Sequence, residues 1–282
     1  VNAYQDGSGK KMSAQDIIGY CARISNPENQ NNPDSGKLLK YLIDNKHWSP
    51  FEMVDMVLEI NTTRDIARQI LRHRSFSFQE FSQRYADPTK DLAVYMREAR
   101  LQDTKNRQNS VETDDVGLQA WWDAQQKFLT THSQRIYREA LDKGIAKEQA
   151  RAVLPEGNMQ SRMYMKGNVR SWIHYCELRA GNGTQKEHRE IAVKCAEILK
   201  NHLPFLKPWY KELTVCGMCK ARIEKQAYSI KGVKSATWDI PTHQFSVIYD
   251  ASKTSLLNIH KQIAAVGHDT PLATSEQSTY DN

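Results

Sequence analysis

The chain has 282 residues, 39% of them hydrophobic and 26% charged, with a formal net charge of +6. That balance argues against an intrinsically disordered chain and leaves room for one large or two small domains. No apolar run approaches the roughly 18 residues that span a bilayer, and the moderate positive charge suits anionic ligands without requiring nucleic acid, for which no recognised motif is present.

The sequence opens on Val1 rather than Met, which reads as a fragment or a processed form, with part of an N-terminal strand lost. A cytoplasmic location is the expectation. The five cysteines, Cys21, Cys176, Cys195, Cys216 and Cys219, are odd in number and irregular in spacing, so they describe no disulfide framework. Three sit among apolar or helical neighbours as buried thiols; Cys216 and Cys219 form a close pair.

Leu38, Leu39, Tyr41, Leu42 and Ile43 make a helical stripe over residues 36–46, which His47-Trp48-Ser49-Pro50-Phe51 interrupts. Residues 53–60 read as a strand with Val54, Met56, Leu58 and Ile60 on one face. Asn61-Thr62-Thr63 should cap a helix carrying Ile66, Ala67, Ile70 and Leu71 and ending in Arg72-His73-Arg74. From Ser75 the period shifts toward two, with a bend expected near Gln79. Residues 87–115 are polar and read as a loop or insertion. Helices are expected at about 117–142 and 146–153, with Trp121, Trp122 and Phe128 as core candidates, then at about 167–179 and 185–202. After Pro204 the order becomes strand 211–215, helix 219–229, strand 233–240, strand 244–249 and helix 255–266, a ferredoxin-like β-α-β-β-α order. A final strand would fall in 271–273 or beyond, leaving that small domain incomplete.

The segment from Arg72 to Tyr85 carries the densest set of anion-binding groups. Arginine suits phosphate because its planar fork donates two parallel hydrogen bonds. Taken alone, however, Arg72-His73-Arg74 would equally complement the negative pole of a helix end. Arg151 could pair with Glu148, His174 could be a core histidine, and Glu80 could neutralise Arg74 or Arg84.

The joint pattern resembles the flavin-dependent thymidylate synthases, the ThyX family. Arg72-His73-Arg74, seven residues and then Ser82 match its signature, flanked by Arg68-Gln69, Glu80 and Arg84-Tyr85. His47-x-Ser49-Pro50-Phe51-Glu52 resembles its upstream histidine motif. Arg151-x-Val153-Leu154-Pro155, Asn168-x-Arg170-Ser171, His174 and Leu178-Arg179 resemble its later motifs in the expected order. Gln79 stands where many members have Asn, and His174 where some have Asn.

This resemblance covers about residues 1–210 and implies an α+β protein whose ThyX-type α/β domain surrounds a central antiparallel sheet with helices. It implies conversion of dUMP to dTMP, with methylenetetrahydrofolate as carbon donor and NADPH as reductant through bound FAD, in a homotetramer whose sites draw on several subunits. It implies FAD contacts from Ser49, Arg72, His73, Arg74, Glu80, Asn168, Arg170 and His174. It implies a dUMP cradle of Gln69, Arg72, Glu80, Ser82, Gln83, Arg84, Arg151 and Arg179. Arg179 would stabilise negative charge on the uracil ring, and His47 would stand beside the flavin and folate region. Ser82 then reads as a phosphate ligand rather than a nucleophile.

Residues 211–282 resemble the heavy-metal-associated domains of copper chaperones and metal pumps, through Cys216-Gly217-Met218-Cys219 before a helix and the β-α-β-β-α order. Cys216 and Cys219 would be ligands for Cu(I) or another soft ion. The alternative to the enzyme is a metal-binding carrier or sensor with a degenerate ThyX-like domain.

Overall fold

The computed structural model describes residues 9, 11–104, 107–181, 183–211, 213, 217–239 and 244–274. It divides into two compact units, one of residues 1–179 and 184–205, the other of residues 180–183 and 206–282.

In the first unit, Ser13 opens helix α1 (Ala14–Ala22) with a reciprocal capping box to Asp16, which satisfies two otherwise orphaned N–H groups. Helix α2 (Gly36–Asp44) buries Leu39 and Leu42. It stops where Lys46 takes φ 58°, with the His47 N–H on the Leu42 carbonyl and the Lys46 N–H on that of Ile43. That is a Schellman closure, and it delivers His47 and a short 3-10 turn (Ser49–Met53) at a fixed angle.

Strand β1 (Asp55–Thr63) turns its Met56, Leu58 and Ile60 face inward. It runs to Thr63, which is also the N-cap of helix α3 (Arg64–Ile70), so of the expected cap Asn61-Thr62-Thr63 only the last residue caps the helix, without a side-chain hydrogen bond to it. Strand β2 (Ser77–Glu80) follows; its chain bends after Phe81, two residues later than expected.

Residues 87–115 are more structured than their polarity suggests. They hold a short helix α4 (Pro88–Asp91) and a hairpin of β3 (Arg100–Gln102) with β4 (Ser110–Glu112). Arg97 ties the segment down, donating to both Asp65 carboxylate oxygens at 2.7 and 2.9 Å, to Thr63 Oγ1 at 2.6 Å and to the Gly157 carbonyl at 3.2 Å.

Helix α5 (Val116–Asp142) reverses an expectation. Trp121, Trp122 and Phe128 are exposed by 56%, 37% and 72%, while Gln126, Thr130, Ser133 and Tyr137 are buried. The polar residues can be inside because they have partners. Gln126 accepts from the Arg97 N–H at 2.9 Å and donates to the Arg97 carbonyl at 2.8 Å, and Thr130 bonds the Gln126 carbonyl. Tyr137 packs with Ala150, Leu154 and Met159.

Helix α6 (Lys147–Ala150) and a 3-10 turn (Arg151–Val153) lead to β5 (Gln160–Asn168). β5 pairs antiparallel with β1 along Asp55↔Asn168 to Thr63↔Gln160, and with β2 along Ser77↔Lys166 to Glu80↔Met163. The sheet order is therefore β1-β5-β2. Burial of Met163 and Met165, each worth about 1.5–3 kcal/mol, fixes which face of β5 points inward. Helices α7 (Val169–Arg179) and α3 pack on this strand, and α8 (Lys186–His202) packs on both helices.

The second unit contains α9 (Lys207–Lys211), α10 (Gly217–Ser229), β6 (Val233–Asp239), β7 (Gln244–Tyr249) and α11 (Leu256–Ala264). Lys211 thus closes a helix, and most of the strand expected at 211–215 lies outside the described residues. β6 and β7 pair antiparallel, and Ile223, Ala227, Ile230, Val233, Ala236, Ile259 and Ile263 form one core beneath them. This is the inner α-β-β-α part of the ferredoxin-like order. Residues 270–273 make only a tight bridge between Thr270 and Ala273, not a third paired strand among the described residues.

Candidate active site

Glu80 ends β2 on its inward face, where its carboxylate accepts from Ser161 Oγ at 2.5 Å and from Arg68 at 3.1 Å, with Arg64 at 3.7 Å. Its partners are therefore two arginines one turn apart on α3, rather than Arg74 or Arg84. Arg64 is buried and also faces Glu156 at 3.8 Å. Loss of solvent, and then the neighbouring Arg68, push its pKa below the ordinary guanidinium value.

These groups border a cavity of about 340 Å³ lined by Arg64, Arg68, Gln83, Arg151, Ala152, Leu154 and Glu156. Gln83 is 3% exposed and its Nε2 has no hydrogen-bond partner. A buried amide donor left unsatisfied in a cationic cavity fits an anionic ligand that would complete it. Ser82 Oγ accepts from the Arg84 N–H at 3.4 Å. The Arg84 side chain points to the Glu148 carboxylate at 3.2 Å, while Arg151 donates to the Glu148 backbone carbonyl instead. Of the expected cradle, Gln83 and Arg151 line this cavity and Glu80 is joined to it through Arg64 and Arg68.

A second cluster lies at the end of α7. Arg179 Nε donates to His73 Nε2 at 2.9 Å. The His73 ring stands edge-on to Tyr175 at 4.9 Å and to Phe76 at 6.5 Å. Burial, followed by the charges of Arg179 and Arg72, pushes the His73 pKa below the ordinary imidazole value. Behind it, Tyr175 Oη meets His188 Nε2 at 3.1 Å, His188 Nδ1 meets Gln69 Oε1 at 3.3 Å, and Gln69 Nε2 donates to Gln185 Oε1 at 2.8 Å. Burial raises the Tyr175 pKa and lowers that of His188 to about 4, so both groups are neutral.

A third cluster joins the Ser49–Met53 turn to the start of α7. Arg170 pairs with Glu52, the Trp48 ring stands edge-on to His174 at 4.6 Å, and Asn168 Oδ1 accepts from the Ser171 N–H at 2.9 Å. His174 is half-buried, Ser49 is exposed on the turn, and exposed His47 is edge-on to Tyr41 at 6.2 Å. Between clusters, Arg72 and Arg74 are exposed and their side chains form no hydrogen bond or ion pair among the described residues. Two unpaired guanidinium groups beside a neutral imidazole fit a diphosphate-bearing cofactor such as FAD.

The family model described as "Thymidylate synthase complementing protein" matches residues 10–205. A flavin-dependent thymidylate synthase of Synechocystis sp. is 55% identical over 196 residues, covering 70% of this chain and 89% of that protein. A probable flavin-dependent thymidylate synthase of Paramecium bursaria Chlorella virus 1 is 51% identical over 193 residues, covering 68% and 88%. One from Thermus thermophilus is 32% identical over 221 residues, covering 77% and 79%. The chain belongs to the flavin-dependent thymidylate synthase family. Residues 213–269 match the "Heavy-metal-associated domain" model, so a domain of that class follows the thymidylate synthase part.

The sequence pattern marks Arg68 only as a flank of the signature and gives no role to Arg64 and Glu156 at the cavity or to Tyr175, Gln185 and His188 behind His73. The i,i+4 spacing of Arg64 and Arg68 on one helix was the available signal for the first pair. Cys216 and the side chain of Cys219 lie outside the described residues. No helix of the described residues is long and apolar enough to cross a membrane.

Proposed function

We propose that the first unit converts dUMP to dTMP, taking the one-carbon group from methylenetetrahydrofolate and reducing equivalents from NADPH through bound FAD. The observation that carries this reading is the orphaned Gln83 donor in a cavity lined by Arg64, Arg68 and Arg151, a cationic cradle for a nucleotide phosphate. Ser82, Arg84 and Glu80 would complete the dUMP cradle, with Gln69, Arg72 and Arg179 toward the base.

Arg72, His73 and Arg74, with Ser49, Glu80, Asn168, Arg170 and His174, would hold FAD. When bound, FAD supplies the hydride chemistry of the reaction. The chain's own contribution is electrostatic. The Nε–H of Arg179 is committed to His73, which fixes the plane of the guanidinium and leaves its terminal N–H groups to stabilise charge on the pyrimidine. His47, set by the turn after α2, would border the flavin and folate region. No cysteine among these groups is a plausible nucleophile: Cys176 and Cys195 are buried, and burial raises both thiols.

A homotetramer is the proposed assembly, supported by the exposed Val116, Trp121, Phe128 and Leu129 on α5. Purified protein should be yellow and should release tritium from 5-³H-dUMP only with NADPH and methylenetetrahydrofolate present. Protein that cannot be loaded with FAD would overturn the assignment.

The match at residues 213–269 favours a second activity alongside the first: soft-metal binding, Cu(I) foremost, through Cys216 and Cys219. The functional division would then fall at 1–210 and 211–282. A metal carrier or sensor whose first domain is catalytically degenerate would bind Cu(I) but show no flavin-dependent turnover.

A further inference from the structure

We infer that His188 is a positioning residue of the nucleotide site: held by Tyr175, it locks the side-chain amide of Gln69 in one orientation for the base of the bound nucleotide. The inference rests on the proposal above that Gln69 belongs to the dUMP cradle.

His188 is fully buried on α8 and does not line the cavity of Arg64, Arg68 and Gln83, so the inference gives it no ligand contact of its own. Its two ring nitrogens are both engaged, by Tyr175 Oη at 3.1 Å and Gln69 Oε1 at 3.3 Å. Tyr175 Oη has no other hydrogen-bond partner among the described residues, so its O–H must donate to His188, and that sets the direction of the whole chain. The Tyr175 hydroxyl donates to Nε2, Nδ1–H donates to Gln69 Oε1, and Gln69 Nε2 donates to Gln185 Oε1 at 2.8 Å. The imidazole is neutral, as its desolvated setting beside Arg179 and His73 requires.

The direction of the chain has a consequence for Gln69. Flipping its amide would set N–H against N–H at the buried His188, whose tautomer the Tyr175 hydroxyl holds, and oxygen against oxygen at the part-buried Gln185. Amide orientation is otherwise a nearly free choice for glutamine, because oxygen and nitrogen are alike in shape. Locked this way, Gln69 keeps one N–H and one oxygen lone pair in a fixed order. A pyrimidine edge, which sets an N–H beside a carbonyl, would read that order. His188 thus acts on the ligand only through Gln69, while α3 anchors the same residue beside Arg68.

A double-mutant cycle on full-length, FAD-loaded protein tests this, with dUMP dissociation constants from calorimetry for wild type, His188→Leu, Gln69→Ala and the double variant. His188→Leu should weaken dUMP binding about tenfold, the size of one lost buried hydrogen bond with its partner left unpaired. In the Gln69→Ala background the same change should alter affinity less than about twofold. His188→Asn, which keeps an N–H donor near the Nδ1 position, should recover affinity to within about threefold of wild type. Tyr175→Phe preserves volume and removes only the hydroxyl that holds the tautomer; it should weaken binding about threefold and serves as the test if His188→Leu does not fold. Additive losses in the cycle, or unchanged affinity in both His188→Leu and Tyr175→Phe, would overturn the role. Wild-type protein that binds FAD but not dUMP would instead sink the nucleotide assignment itself, and the positioning role with it.

Discussion

Arg179 Nε and His73 Nε2 are joined by a 2.9 Å hydrogen bond in which the imidazole is the acceptor. The proton of His73 therefore sits on Nδ1, and the positive charge stays on the guanidinium. Of the three consecutive basic residues, the middle one is neutral and serves as a rest for the catalytic candidate.

Arg179→Ala should lower turnover by about 10²–10³-fold while the melting temperature changes by no more than a few degrees, because the side chain is half-buried and its hydrogen bond to the fold is the single one to His73 among the described residues. Single-turnover kinetics with flavin content as control checks this. Arg179→Lys should recover little, since a lysine cannot both donate to His73 and present a planar fork.

Gln83→Met should raise stability by about 1–3 kcal/mol and weaken dUMP binding at the same time, because it removes a buried donor that is unsatisfied without ligand. Urea denaturation with and without dUMP separates the two effects. A variant less stable than wild type in the absence of dUMP would show that Gln83 is satisfied already.

Gly167→Ala tests how β5 carries the aromatic cluster. A Cβ at Gly167 would stand 2.4 Å from Phe76 Cδ1, and Phe76 packs at 4.9 Å against Trp172 and 5.9 Å against Tyr175. The ring must shift, so a loss of about 1–3 kcal/mol is expected, with weaker FAD retention. Near-ultraviolet circular dichroism and bound-flavin stoichiometry would register both.

Acid should destabilise the first unit before carboxylates protonate in bulk. The His188 pKa falls from 6.5 unfolded to about 4 folded, so the unfolded chain binds the extra proton between those values. Stability is unaffected above pH 6.5, declines by up to about 1.4 kcal/mol per pH unit as pH falls toward 4, and levels off below that. His73, shifted in the same direction, adds to the slope. Chemical melts at pH 7, 5.5 and 4.5 should show a shallower decline in His188→Asn than in wild type.

Cys216→Ser should abolish tight Cu(I) binding and leave tritium release from 5-³H-dUMP unchanged, measured on the same full-length preparation. Loss of both together would mean that the two activities are coupled.

The sequence exposed those parts of the fold whose cause is local. The α2 stripe, the strand through Leu58 and Ile60, the strand 244–249 and the helix that begins after Ser255 all depend on near neighbours and fall close to where expected. β5 escaped because charged Arg162 and Lys166 and flexible Gly167 dilute its period-two pattern, although Met163 and Met165 alternate clearly. Trp121 and Phe128 misled because an aromatic side chain on a helix suggests a core, whereas Arg97, 29 residues before Gln126, gives the opposite polar face its partners. His188 was silent for a similar reason: its meaning comes from Gln69, 119 residues away in the chain. The candidate site itself was legible as a motif, but its inner layer, Arg64 under Glu80 and His188 under Gln69, exists only in three dimensions.

β5 pairs with β1 on one edge and β2 on the other, then runs straight into α7. A single residue inserted into or deleted from that strand would offset the Ser82–Arg84 segment after β2 and rotate the helix bearing Arg170, His174 and Arg179, both in one stroke. Substitution can tune the two halves of the site separately; length change cannot. The nine positions of Gln160–Asn168 should therefore tolerate new side chains on the outward face while rejecting every change of count, and a deletion scan of the gene read by thymidine-independent growth would trace the limits of that strand without any structure.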